Sequence, residues 1–334
     1  MLTAALRRAG FDDIAIPPAA ETPPFARRRM DLAIRRQGAD IAIGLHQAGG
    51  TLIIDLRTCH VLHPALFALL APLRPLLRSL TALKRDASAI ANLLDSGPDL
   101  LLRTDAVLDT GDRTRLAAFA AANGLPRISW ARGPDAPETA CLLRPPTTDL
   151  DGLTVRPPPG GFLQASREGE AALRAAIVAG LPSRLTSKSR IAELYAGSGS
   201  FTAAISRHAR VTAFEGEAAA AAALSAAARA AGLAGRIEAQ HRDLARQPVS
   251  AKELAAFAAV VLDPPFAGAL TQITEIAASK IARVIYVSCN PAALARDAAV
   301  LRQAGYRLLS ATPVDQFLWS ARVESVAVFS NARR

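Results

Sequence analysis

Apolar and polar positions change their rhythm along this chain, and the change falls at the proline-rich stretch Leu153 to Gly161. Before it, Met30 to Ile34, Ile41 to Leu45 and Thr51 to Leu56 read as short strands, with Gly49-Gly50 as a turn, and predict a β-meander. Pro64 to Leu80 predicts a helix broken by prolines, and Leu100 to Leu108 a strand. Arg113 to Asn123 predicts a helix closed by Gly124. Ile128 to Ala131 and Ala140 to Leu143 are further strands. After the stretch, strands and helices alternate. Ser166 to Ala179 is an amphipathic helix, Ile191 to Tyr195 a strand, Phe201 to His208 a helix. Val211 to Phe214 is a strand, Glu217 to Ala231 an alanine-rich helix, and Ile237 to Gln240 and Ala259 to Leu262 are strands. Ile281 to Val287 is a strand, Pro291 to Ala304 a helix, and Tyr306 to Pro313 with Val323 to Ser330 an antiparallel hairpin. Such alternation implies an α/β unit with a mostly parallel sheet and helices on both faces. The expected organisation is a smaller α+β domain over 1–155, then the parallel-sheet domain over 156–334.

Composition narrows the class. The 334 residues are 51% hydrophobic and 20% charged, which is a globular balance. No apolar run approaches the roughly 18 residues of a membrane span. Met1 to Gly10 reads as an amphipathic helix and not as a signal peptide. Cys59, Cys141 and Cys289 give no disulfide framework, so a soluble cytoplasmic protein is expected, and a monomer is the expected state. The net charge of +10 points to a polyanionic partner, or to an arginine-rich compositional bias. Arg27-Arg28-Arg29 with Arg35 and Arg36 is the densest basic cluster, either a grip on phosphates or a solvated strand face.

Candidate chemistry gathers at the strand ends of the second half. The β-branched run Val284 to Val287 stops at Ser288-Cys289-Asn290-Pro291. This puts a thiol at the C-terminal edge of a buried parallel strand, where open α/β sheets bind ligands. Tyr195-Ala196-Gly197-Ser198-Gly199-Ser200 is a glycine loop between strand and helix. Glu215 ends the next strand, placed for ribose hydroxyls or for capping the following helix. Asp243 is placed for an adenine amino group or an N-cap. There is no full G-x-G-x-x-G and no Lys-Ser/Thr after the loop, which favours S-adenosylmethionine over a dinucleotide or a nucleoside triphosphate.

With Asp263-Pro264-Pro265 and Cys289 at successive strand ends, the chain resembles the class I, S-adenosylmethionine-dependent RNA uracil-5-methyltransferases that act on 23S rRNA and tRNA. The matching stretches run in family order from Phe162-Leu163-Gln164 through Ser288 to Asp297, then Val314-Asp315-Gln316-Phe317 and Val323-Glu324. The resemblance implies a seven-stranded Rossmann-like sheet with a C-terminal antiparallel hairpin. It implies RNA as partner, with rRNA favoured over tRNA, and no membrane. Cys289 would add to C6 of a flipped uridine, and Glu324 would remove the C5 proton. Asp263 would orient the uracil or the reacting end of the cofactor. Gln164, Tyr195, Ser200, Glu215 and Asp243 would line the cofactor pocket.

The chain also departs from the family. Phe266 stands where Arg is frequent, Arg322 where His is frequent, and Ser200 where Asn is frequent. Asp-Pro-Pro-Phe also resembles amino-directed N6-adenine or N2-guanine methyltransferases, which is the alternative activity. A non-catalytic RNA-binding relative is the third reading. Many relatives hold a 4Fe–4S cluster on four cysteines, after an N-terminal RNA-binding barrel. Cys59 resembles one ligand and the other three have no counterpart, so no cluster and no other metal is expected in this chain.

Overall fold

The computed structural model describes residues 1–12 and 15–331. It divides into two compact units, one of Met1–Thr22, Asp149–Val155 and Arg167 onward, the other of Pro23–Thr148 and Arg156–Ser166. The chain passes between them after Thr22, Thr148, Val155 and Ser166.

The first unit holds an eight-stranded sheet among the described residues. Its strands are β1 (Ala20–Glu21), β2 (Arg190–Leu194), β3 (Arg210–Glu215), β4 (Ile237–His241), β5 (Ala259–Leu262), β6 (Arg283–Ser288), β7 (Tyr306–Asp315) and β8 (Glu324–Asn331). Their order is β1-β7-β8-β6-β5-β2-β3-β4. Strands β2 to β6 pair in parallel. β8 runs antiparallel to both β6 and β7. The expected seven strands and terminal hairpin are present. The two-residue β1, parallel to β7, is an eighth that is too short to leave a pattern.

Burial explains the strand sequences. β5 is buried along its whole length, and β6 is buried after Arg283. Successive side chains point to opposite faces, so a continuous apolar run requires cover on both. On one face Val260, Leu262, Val284, Tyr286 and Phe329 share a core with Leu6, Ile273, Ile276, Leu294 and Leu301. Those residues come from α1 (Leu2–Arg8), α6 (Leu270–Ser279) and α7 (Pro291–Gln303). On the other face α2 (Arg167–Gly180) closes against the sheet, where a Cβ on Gly180 would stand 2.7 Å from Val328 Cγ2. Strand order reverses between β2 and β5, the switch point at which such sheets bind ligands.

The second unit is a seven-stranded sheet backed by helices Pro64–Phe67, Leu70–Ser79 and Thr110–Ala122. The strand Asp86–Leu94, not expected from the pattern, pairs with Arg29–Gln37 on one side and Gly97–Thr104 on the other. The basic cluster is neither an open phosphate grip nor a plain solvated face. Arg28 is buried and its Nε donates to the Gln164 carbonyl at 3.1 Å. Arg35 pairs with Asp86 at 2.7 Å. Arg36 donates to the carbonyls of Leu77, Arg78, Leu80 and Leu83. The Arg29 guanidinium lies 5.2 Å from the Phe162 ring centroid. Among the described residues no helix is long and apolar enough to cross a membrane.

Candidate active site

Cys289 follows β6 directly, as its sequence pattern predicts. The last ladder pair between β6 and β8 is Ser288 with Ser325. One step further along an antiparallel register sets Cys289 opposite Glu324, the first residue of β8, and opposed residues have neighbouring side chains. The Ser325 hydroxyl donates to the Ser288 carbonyl at 3.3 Å and holds that end of the ladder. Glu324 is 6% exposed. Burial and then the charge of Asp263 raise its carboxyl to about 8, against a hydrogen bond with Gln316. Its Oε2 has no hydrogen-bond partner among the described residues. Burial, Glu324 and Asp263 push the Cys289 thiol up to about 11, while Arg322 draws it down. Nucleophile and carboxyl therefore stand together as a proton-holding pair.

The residues around Cys289 are scaffold. Asn290 caps α7, its side chain accepting from Ala292 N at 3.0 Å, and Pro291 supplies the preset first turn. Asn290 Nδ2 also donates to the Phe266 carbonyl at 2.9 Å. Asp297 is fully buried and accepts from Ala269 N, Tyr286 Oη and Arg296. Arg296 donates in turn to the Ala267 carbonyl at 2.9 Å. The Asp-Pro-Pro segment after β5 is thus tied to the helix that begins beside Cys289.

A second cluster lies at the ends of β2 and β3. Tyr195 turns out of β2 with φ +62, a costly conformation for a non-glycine residue. Burial, then Asp297 and Asp243, raises its hydroxyl to about 12. Gly197 and Gly199 follow at φ +57 and +104. Ser200 is half-buried in this loop. Glu215 accepts from Gly197 N and Glu217 N, both at 2.7 Å, so it braces the loop and fixes the approach to the next helix without capping it. Asp243 is exposed and accepts from Ala245 N at 3.0 Å and Arg246 N at 3.3 Å, a local turn-capping role. Asp263 donates its N–H to the Leu194 carbonyl, which joins the end of β5 to the end of β2. Gln164 is buried in the other unit.

Glu193 belongs to this cluster and was not singled out from the sequence. It is 2% exposed in β2, and neither carboxyl oxygen has a hydrogen-bond partner among the described residues. Burial raises it to about 8, with Asp263 and Glu215 adding to the rise; the nearby Thr202 hydroxyl opposes it without reaching hydrogen-bond geometry. The available signal was an acidic residue inside the otherwise apolar strand Ile191-Ala192-Glu193-Leu194, where a charge is expensive without a partner. Orphaned acceptors beside a glycine loop and two further carboxyls fit a ligand that brings hydroxyls, an amine or positive charge.

Among the described residues no group of three or more His, Cys, Asp or Glu is arranged to hold a metal. Cys59 is a free thiol whose Sγ accepts from Leu62 N at 3.4 Å.

Comparison with known proteins bears on the family. Residues 167–290 match a family described as "Conserved hypothetical protein 95". An uncharacterised RNA methyltransferase of Rhizobium meliloti (strain 1021) is 38% identical over 91% of this chain and 71% of its own length. The 23S rRNA (uracil(1939)-C(5))-methyltransferase RlmD of Pectobacterium atrosepticum is 34% identical over 97% of this chain and 72% of its own. In structure, the chain is similar to the tRNA (uracil-54, C5)-methyltransferase of Pyrococcus abyssi, solved with S-adenosyl-L-homocysteine. That match has a TM-score of 0.70 and 19% identity, covers 98% of this chain and 81% of the other, and speaks for the fold. With curated relatives this similar across nearly its whole length, the chain belongs to the RNA uracil-C5 methyltransferase family.

Proposed function

We propose that this RNA methyltransferase modifies C5 of a uridine in 23S rRNA, with S-adenosylmethionine as methyl donor. The observation that carries the reading is the juxtaposition of Cys289 with the buried Glu324, whose Oε2 is left without a partner among the described residues. Bound S-adenosylmethionine supplies an electrophilic methyl group. Glu193, Tyr195, Ser200, Glu215, Asp243 and Asp263 are the residues to hold it. The protein's own task is to make C5 of uracil nucleophilic and then to release the product. Cys289 gives up its proton to solvent and its sulfur adds to C6, which pushes electron density onto C5. Once C5 carries the methyl group, Glu324 removes the remaining C5 proton and the sulfur leaves C6. A carboxylate raised to about 8 is a stronger base than an ordinary glutamate. The 23S rRNA choice rests on the relative that shares 34% identity, against a tRNA enzyme at 19%.

Cys289→Ala is expected to abolish 5-methyluridine formation. Glu324→Gln is expected to slow turnover by about 10²–10⁴-fold and to accumulate a covalent RNA adduct on a denaturing gel. The wild-type kcat should rise with pH through about 8, as Glu324 gains its basic form. Full activity of Cys289→Ala would overturn the reading in favour of an amino-directed enzyme. Mapping 5-methyluridine in rRNA and tRNA from cells with and without the gene checks the substrate.

A further inference from the structure

The two positions flanking the catalytic pair, Phe266 and Arg322, touch each other. The Arg322 guanidinium lies 5.1 Å from the Phe266 ring centroid, within cation–π range. Both side chains are exposed, Phe266 by 53%. Single exposed apolar residues are ordinary, but the backbone that carries this ring is held at three points. Asn290, the residue after Cys289, donates to the Phe266 carbonyl, Arg296 donates to the Ala267 carbonyl, and Asp297 accepts from Ala269 N. Arg322 sits two residues before Glu324, and its backbone N–H donates to Ser320 Oγ, which itself donates to the Phe317 carbonyl. Most other arginines near the described sites are committed to carboxylates or carbonyls. The Arg322 guanidinium meets no carboxylate among the described residues and rests on the ring alone. A water-exposed aromatic face on an anchored segment, carrying an uncommitted positive charge, therefore stands beside Cys289.

A uridine that leaves its strand to reach Cys289 strips one stacking face from the nucleotide next to it. An aromatic side chain restores that face for any base, and a guanidinium matches the adjacent phosphate. We propose that Phe266 and Arg322 seat the nucleotide adjoining the target uridine in single-stranded RNA. The ring stacks on its base and the guanidinium, already aligned by the ring, takes its phosphate. This deepens the uridine methylation reading and rests on it.

The test measures binding without turnover, using the full chain in the absence of methyl donor. The probe is a single-stranded RNA of roughly a dozen nucleotides with one central uridine. Two twins carry an abasic residue on the 5′ or the 3′ side of that uridine. Phe266→Ala and Arg322→Ala are each expected to weaken binding about 10-fold, with Arg322→Lys in between. One abasic twin should bind the wild-type protein equally weakly and lose nothing more on Phe266→Ala, the non-additivity of a shared contact. Affinities within twofold of wild type in both alanine variants overturn the proposal. So do effects that multiply in full with both twins, or a wild-type protein that binds none of the three RNAs. The parent reading is judged separately, by 5-methyluridine formation with methyl donor present. A protein that methylates normally with both variants loses only the seat. A protein that shows the binding pattern but forms no 5-methyluridine keeps the seat and loses the parent reading.

Discussion

Glu193 shows how a single buried group ties stability to ligand binding. Its carboxyl is raised to about 8, chiefly by burial, against about 4.3 in an unfolded chain. Below roughly pH 4 both states hold the proton and the residue contributes nothing to pH dependence. Between roughly pH 4 and 8 the unfolded chain releases its proton while the folded chain keeps it, so stability falls across that window. Above the folded value both states are ionised and the loss is complete. Glu193→Gln removes the ionisation and keeps the shape. The variant is expected to melt close to wild type at pH 4 and clearly above it at pH 8, by on the order of a few kcal/mol at most. Thermal unfolding at the two pH values checks this; an equal gap at both would refute it. Above about pH 8, where the folded carboxyl is ionised, the same substitution takes away a charge offered to the donor, so affinity for S-adenosylhomocysteine should fall there while melting temperature rises. A purely structural glutamate would not separate the two readouts.

At the scale of elements, what could be read from sequence is what local chemistry encodes. β6, Cys289 and α7 were legible because an apolar run, an asparagine cap and a proline at the first helical turn are adjacent in the chain. The place of Glu324 was legible only through family resemblance. Its meeting with Cys289 depends on the register of two strands far apart in sequence, and a slip of one residue would turn it to the other face. The strand Asp86–Leu94 was missed because Ala89 and Ala91, buried in it, carry no strand preference. Glu193 was passed over because its meaning lies in the carboxyls beside it. The glycine loop was read as a loop, but its two glycines differ in a way only packing reveals. A Cβ on Gly199, at φ +104, would stand 2.6 Å from Leu224 Cδ1 and 3.3 Å from Thr202 Oγ1. A Cβ on Gly197, at φ +57, would meet nothing within 4 Å. Gly199→Ala should therefore cost roughly 1–3 kcal/mol and displace the loop from Leu224. Gly197→Ala should cost roughly 1 kcal/mol from the backbone alone. Melting temperatures and S-adenosylhomocysteine affinities of the two variants should fall in that order; the reverse order would show that the loop repacks freely.

At the scale of the whole molecule, the formal charge of +10 overstates what RNA can meet. Arg127 is held by both oxygens of Asp99 at 2.8 and 2.7 Å and donates to the Pro157 carbonyl. Arg296 is held by Asp297, Arg74 by Asp55 and the carbonyls of Ile41 and Leu56, and Arg36 by four carbonyls. These guanidiniums close gaps in the backbone hydrogen bonding of each unit, where an arginine presents five donors in a fixed fork. Only cations left uncommitted can release counterions from RNA. For single strands, log affinity falls against log salt with a slope of about −0.7 for each phosphate neutralised. The slope for this enzyme should therefore correspond to far fewer phosphates than its arginine content suggests. Arg322→Ala should make the slope shallower by about 0.7 and leave the melting temperature near wild type. Arg36→Ala should do the opposite, lowering the melting temperature through stranded carbonyls while the slope holds. Filter binding across a salt series, paired with thermal melts, separates the two behaviours. If Arg36→Ala flattened the slope and left the melt unchanged, the second unit would meet RNA through the strand that carries its basic cluster.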